Sequence, residues 1–228
     1  MKPLLYKEFK LAMHPICYIF IFAFPLMILI PSYPIAVGFI YVLSCYPILF
    51  LGANKGQQSN DLLFSTLLPV RKKDIVLARI LTVAIMQLVF ILMMSALVPL
   101  AFLIQNKIIA NGGEAPNVGL PLSGYVSVIS IAIIGYAIAD LIFFPIYYKH
   151  GKSIVMSTLF TILGFIAFMF TLTLFVPFIP GCEGYVYALS GVPIGIQFIY
   201  LAAALVITFV LHIFVYKISA KRLENVDF

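Results

Sequence analysis

The alternation that governs this chain is between long apolar runs and short polar connections. A helix crossing the hydrocarbon core of a bilayer needs about 20 mostly apolar residues, because each adds only about 1.5 Å of rise. From Leu11 to Asn54 there is no Lys, Arg, Asp or Glu. Pro31-Ser32-Tyr33-Pro34 divides that stretch into a helical hairpin of roughly 15 to 31 and 35 to 53. A third charge-free run extends from Ile80 to Gln105, and a fourth, about Gly124 to Tyr147, holds one acid, Asp140. The fifth covers about Ser153 to Val176 and the sixth about Gly195 to Tyr216. The pattern predicts an all-α integral membrane protein of six transmembrane helices, a single domain over 1–228.

Charge gives the threading its sides. Thirteen of the fourteen Lys and Arg residues fall before the first span, between the second and third, between the fourth and fifth, or after the sixth, leaving only Lys107 opposite. Basic residues are retained on the cytoplasmic side, so both termini are expected there. A hydrophobic fraction of 64%, 10% charged residues and a mean hydropathy of +1.15 exclude a soluble surface, which wants about 25–35% charge. The net charge of +6 is explained by topology and anionic lipid headgroups, so no nucleic acid is implied. The first span is not read as a cleaved signal peptide, since no small-residue cleavage site follows it. Cys17, Cys45 and Cys182 are scattered, which implies neither an intrachain disulfide nor a metal site.

Three segments and one buried acid carry the candidate chemistry. The cytoplasmic connection 54–79 contains Leu62 to Pro69, where Leu63 with Leu67 and Phe64 with Leu68 share one helical face, while Asp61 and Ser65 mark the other. Asp61 suits the helix start, and Pro69 ends it. A two-turn helix is not stable alone. It must bury that face either in the lipid interface or in a groove on a cytoplasmic partner. Residues 1–14 suit an interfacial elbow helix, with Leu5, Phe9, Ala12 and Met13 on one side and Lys7, Lys10 and His14 on another. The outer segment 177–194, rich in Pro and Gly around Tyr185 to Leu189, suits a re-entrant hairpin.

Asp140 lies nine residues before Lys149, roughly 13 Å inside the membrane boundary. A carboxylate at that depth needs a partner, a proton or water. His212 in the sixth span and Arg79 at the base of the third are the candidates. Three roles stay open for it: a structural interhelical contact, the lining of a transport or gating cavity, and proton coupling. The chain lacks a G-x-x-x-x-G-K-[ST] phosphate loop, H-E-x-x-H and G-x-S-x-G. It therefore carries no recognisable catalytic centre, and it is read as a non-enzyme.

Six spans, the lead Lys7-Glu8-Phe9 and the run Leu67-Leu68-Pro69-Val70-Arg71-Lys72-Lys73-Asp74-Ile75-Val76-Leu77-Ala78-Arg79 resemble the membrane subunit of an ABC-2 type transporter, with a type V exporter-like transmembrane domain. Within that family the size and loops are most similar to bacterial peptide exporters of the phenol-soluble modulin type. The resemblance implies two paired permeases in the cell membrane, either two copies or two related chains. It also implies separate cytoplasmic ATPase subunits that hold ATP and Mg. Asp61, Leu63, Phe64, Leu67, Leu68 and Arg71 would take the ATPase, and amphipathic or toxic peptides would be the cargo. A non-transporting scaffold or sensor partner, and an ion-coupled carrier using Asp140, are the alternatives.

Overall fold

A computed structural model describes residues 2–13, 15–26, 29, 65, 70–112, 122–150, 154–175 and 194–225. The expected second span, all of the 61–68 segment except Ser65, and all of the outer segment except Ile194 lie outside the described residues. Among the described residues every regular element is helical: α1 Lys2–Lys7, a π-helical turn Glu8–Ala12, α2 Pro15–Leu26, α3 Lys72–Ala110, α4 Leu122–His150, α5 Ile154–Phe175 and α6 Ile194–Glu224. Three of them, α3, α4 and α6, are long and apolar enough to cross a membrane.

Local chemistry accounts for the ends. Pro15 opens α2, where a missing N–H costs nothing. Asp74 sits in the first turn of α3, and its amide bonds the Arg71 carbonyl at 2.9 Å. That helix closes at Asn111 and Gly112, whose φ of 74° is left-handed and suits glycine. At 39 residues α3 is roughly 58 Å long, well beyond a hydrocarbon core of about 30 Å. It begins eight residues before the expected Ile80, so Lys72, Lys73 and Arg79 belong to a helix and not to a cytoplasmic loop.

Packing centres on α4, which contacts α6 most extensively, then α5 and α3. Burial covers 61% of the most apolar stretch of α4 but 11% of that of α6, so α6 presents its hydrophobic side outward, as a lipid-facing helix does. Phe90 of α3 meets Tyr136 of α4 edge-on at 6.3 Å, in a core cluster that also holds Met94, Phe143, Phe144 and Tyr147. Phe143 stacks on Tyr147 at 5.8 Å, and Phe144 on Tyr148 at 6.4 Å. Gly135 and Ala139 of α4, small residues four apart, are both buried. Hydroxyls in these helices largely satisfy themselves: Thr82, Ser95, Ser130, Thr161 and Thr171 each donate to the carbonyl four residues back.

Gly164 on α5 has Ile142 of α4 against it, where a Cβ would overlap the isoleucine Cδ1. The end of an isoleucine can turn aside for a methyl but not for a branched chain. Gly164→Ala should therefore stay within about 1 kcal/mol of the parent, while Gly164→Leu should cost about 1–3 kcal/mol, read as thermal unfolding in detergent.

Candidate functional site

Among the described residues, two polar clusters interrupt the apolar packing. The first lies where α1 meets the start of α3. Arg79, 1% exposed, donates from Nε to Glu8 Oε2 at 2.9 Å and from Nη2 to Glu8 Oε1 at 3.2 Å. This is the two-pronged geometry in which guanidinium and carboxylate bind most strongly. The remaining Arg79 nitrogen, Nη1, donates to Tyr147 Oη of α4 at 3.2 Å. Lys7 Nζ bonds Glu8 Oε1 at 3.2 Å and donates to the hydroxyl of Ser65, which is fully buried. One continuous ionic and hydrogen-bonded chain thus runs from Ser65 through Lys7, Glu8 and Arg79 to Tyr147.

Residues 1–14 do not bury the side expected of them, because Leu4, Lys7 and Glu8, at i, i+3 and i+4, form the buried stripe. The amide of Met13 bonds the carbonyl of Glu8 at 3.0 Å, five residues back, so the turn is wider than an α-helical one and the 3.6-residue phase slips. Lys7 and Glu8 are buried and Tyr6 is 62% exposed. Lys10 instead points outward, donating to Tyr6 Oη at 2.7 Å.

The second cluster joins α3, α4 and α6 near the middles of those helices. Asp140 is fully buried. His212 Nε2 lies 3.0 Å from its Oδ2, and Gln87 Nε2 donates to both carboxylate oxygens at 3.3 and 3.1 Å. His212 Nδ1 is 2.8 Å from the Thr208 carbonyl, which can only accept, so Nδ1 carries a proton. The structure brings Asp140 and His212 together. It does not bring Arg79 to Asp140: that arginine is committed to Glu8, two helical turns before Gln87. Gln87 itself was missed because the sequence reading tracked charges, and an amide within a charge-free run gave none. Nearer the Arg79 end, Arg222 Nη1 of α6 donates to the Pro145 carbonyl at 2.6 Å, a second tie between α6 and α4.

An open groove of about 880 Å³ runs between α3, α4 and α6, with Gln87, Thr208 and His212 among its otherwise mostly apolar walls. Of the proposed ATPase contacts, Arg71 is exposed just before α3, with extended backbone. Asp61, Leu63, Phe64, Leu67 and Leu68 lie outside the described residues.

Long apolar helices packed around buried polar links define an integral membrane protein. The family model described as ABC-2 family transporter protein matches residues 3–223. The chain belongs to the ABC-2 transporter family and is a membrane transport component, with an ABC ATPase implied as its partner. No curated protein and no solved structure matches it.

Proposed function

We propose that this chain is the permease of an ATP-driven exporter in the bacterial cytoplasmic membrane, working with a second permease and with ATPase subunits on separate chains. It threads the membrane six times with both ends cytoplasmic, and segment 61–68 is the coupling helix that receives the ATPase. Amphipathic peptides are the favoured cargo. The carrying observation is the link from Ser65 to Tyr147 through Lys7, Glu8 and Arg79. On the helical period expected from the sequence, Leu63 and Leu67 fall opposite Ser65. With Ser65 held against Lys7, a push on the apolar face would reach α3 and α4 through charge-assisted bonds and not through soft packing. The threading is supported by helix directions: α3 runs antiparallel to α4, as the pairs Arg79 with Tyr147 and Gln87 with Asp140 require, and α4 runs parallel to α6.

Co-expression with an ABC ATPase encoded beside this chain tests the reading. The complex should hydrolyse ATP, whereas the purified chain alone should not. Changing Leu63, Phe64, Leu67 and Leu68 together to Gln should lower that activity at least ten-fold while leaving the chain inserted. Full activity in the inserted variant sinks the docking assignment. An ion-coupled carrier would instead transport under a pH gradient without ATP and lose that transport in Asp140→Asn. A scaffold would give no transport in reconstituted vesicles.

A further inference from the structure

We infer that the last turn of α6, Lys221 to Glu224, forms with Arg71 a second part of the surface that receives the ATPase, which rests on segment 61–68 being the coupling helix. The first part is too small alone. Removing a Leu or Phe side chain from water takes away roughly 60–120 Å², so Leu63, Phe64, Leu67 and Leu68 together offer roughly 240–480 Å². A stable interface takes about 800 Å² from each partner, a disc of roughly 16 Å radius. The end of α6 lies within reach of that disc. Ser65 is fastened through Lys7 and Glu8 to Arg79, and Glu224 to Lys72 and Lys73, so both are anchored on the first turns of α3, at points roughly 10 Å apart.

Depth turns this end toward a protein and not toward lipid. Headgroups fill about 5–8 Å on each side of the hydrocarbon core. Lys221 is five residues past Tyr216, the expected end of the sixth span, and Glu224 is eight past it; Lys72 is eight before Ile80, the expected start of the third. At about 1.5 Å each, that sets Lys221 at the outer edge of the headgroups and Glu224, Lys72 and Arg71 about 12 Å or more out, beyond them. The end is also rigid. Leu223 is buried in the core, Arg222 donates to the Pro145 carbonyl of α4 at 2.6 Å, Lys72 donates to the Glu224 carbonyl at 3.5 Å, and Lys73 meets the Glu224 carboxylate at 3.2 Å. A helix end beyond a span ordinarily frays. One held from several sides is a platform that a partner binds without first ordering it. Its outward side is charged: Arg71, Lys221 and Asn225 are exposed, and Glu224 and Asp74 offset only two of the five cations Arg71, Lys72, Lys73, Lys221 and Arg222. The ATPase surface that fits it is acidic.

A benzophenone at position 225 tests this in the complex co-expressed with the ATPase, with position 64 as the reference. Both should crosslink to the ATPase. Lys221→Glu should slow association of the ATPase with the full chain in lipid nanodiscs about ten-fold at low salt, and far less at about 1 M salt, where charges are screened beyond about 3 Å. The unfolding midpoint of that variant should not move, since Lys221 is exposed. Crosslinking at 64 but not at 225, or association of Lys221→Glu as fast as the parent's, overturns the second surface and leaves the coupling helix standing. Crosslinks from 225 that reach only lipid, or only a second copy of this chain, overturn it as well. Crosslinking at 225 but not at 64 keeps the contact at α6 and overturns the coupling helix. Crosslinking at neither position, in a complex that hydrolyses ATP, overturns both.

Discussion

Arg79→Met should lower the unfolding midpoint of the detergent-solubilised chain by about 10 °C, the consequence of leaving Glu8 buried beside Lys7 alone. Breaking a buried ion pair from one side costs about 3–5 kcal/mol, because a desolvated charge loses its compensation, and in a chain of this size each kcal/mol moves the midpoint by about 2–4 °C. Lys7 remains as a partial countercharge, which favours the lower end of that range. Glu8→Gln in the same background removes the stranded charge and should return at least 1 kcal/mol. That non-additivity identifies a direct pair. If Arg79→Met melts within a degree or two of the parent, the ionic link from α1 to α3 is not formed in the membrane protein.

The second large effect is expected at the Asp140 cluster. His212→Leu removes one of the two groups holding Asp140 and should cost roughly 3 kcal/mol, since Gln87 supplies hydrogen bonds but no charge. Asp140→Leu combined with His212→Leu should recover most of the loss, because replacing both members of a buried pair by apolar groups is often neutral. The measurement is again thermal unfolding, paired with ATPase activity of the assembled complex. Recovered stability with retained activity assigns Asp140 the structural role among the three open to it. Recovered stability with lost activity assigns it a working one.

The helices were legible because apolar length is a strong signal: α3, α4 and α6 each contain an expected span and run past it, and α5 lies within its own. Their ends were not. Arg79 reads as a loop cation if charge alone defines a boundary, yet Ile75, Val76, Ala78 and Ile80 around it are all buried. An arginine set among four buried apolar positions is the mark of an inward-facing cation, and Glu8, the lone acid ahead of the first span, is its natural complement. Gln87 was recoverable in the same way. Once Arg79 is level with Tyr147, eight residues on along α3 and seven back along α4 place Gln87 beside Asp140. The burial of Lys7 and Glu8 was hidden because both share the buried stripe of Leu4, and a reading that turns charge outward puts them on the other side. Family membership carries the transport role further than any side chain here, because the expected coupling face rests on a segment of which only Ser65 is described.

The bond between Glu8 and Arg79 spans 71 residues of chain, and that distance has a meaning in time. At a synthesis rate of about 5–20 residues per second, the acid leaves the ribosome roughly 4–14 s before the arginine that neutralises it. Through that interval Glu8 must stay hydrated or rest on Lys7, so α1 cannot take its final seat until α3 has been delivered. A helix made well before α3 is thus locked only after it, and a chain stalled before Arg79 would present Glu8 without its guanidinium, a ready mark of incompleteness.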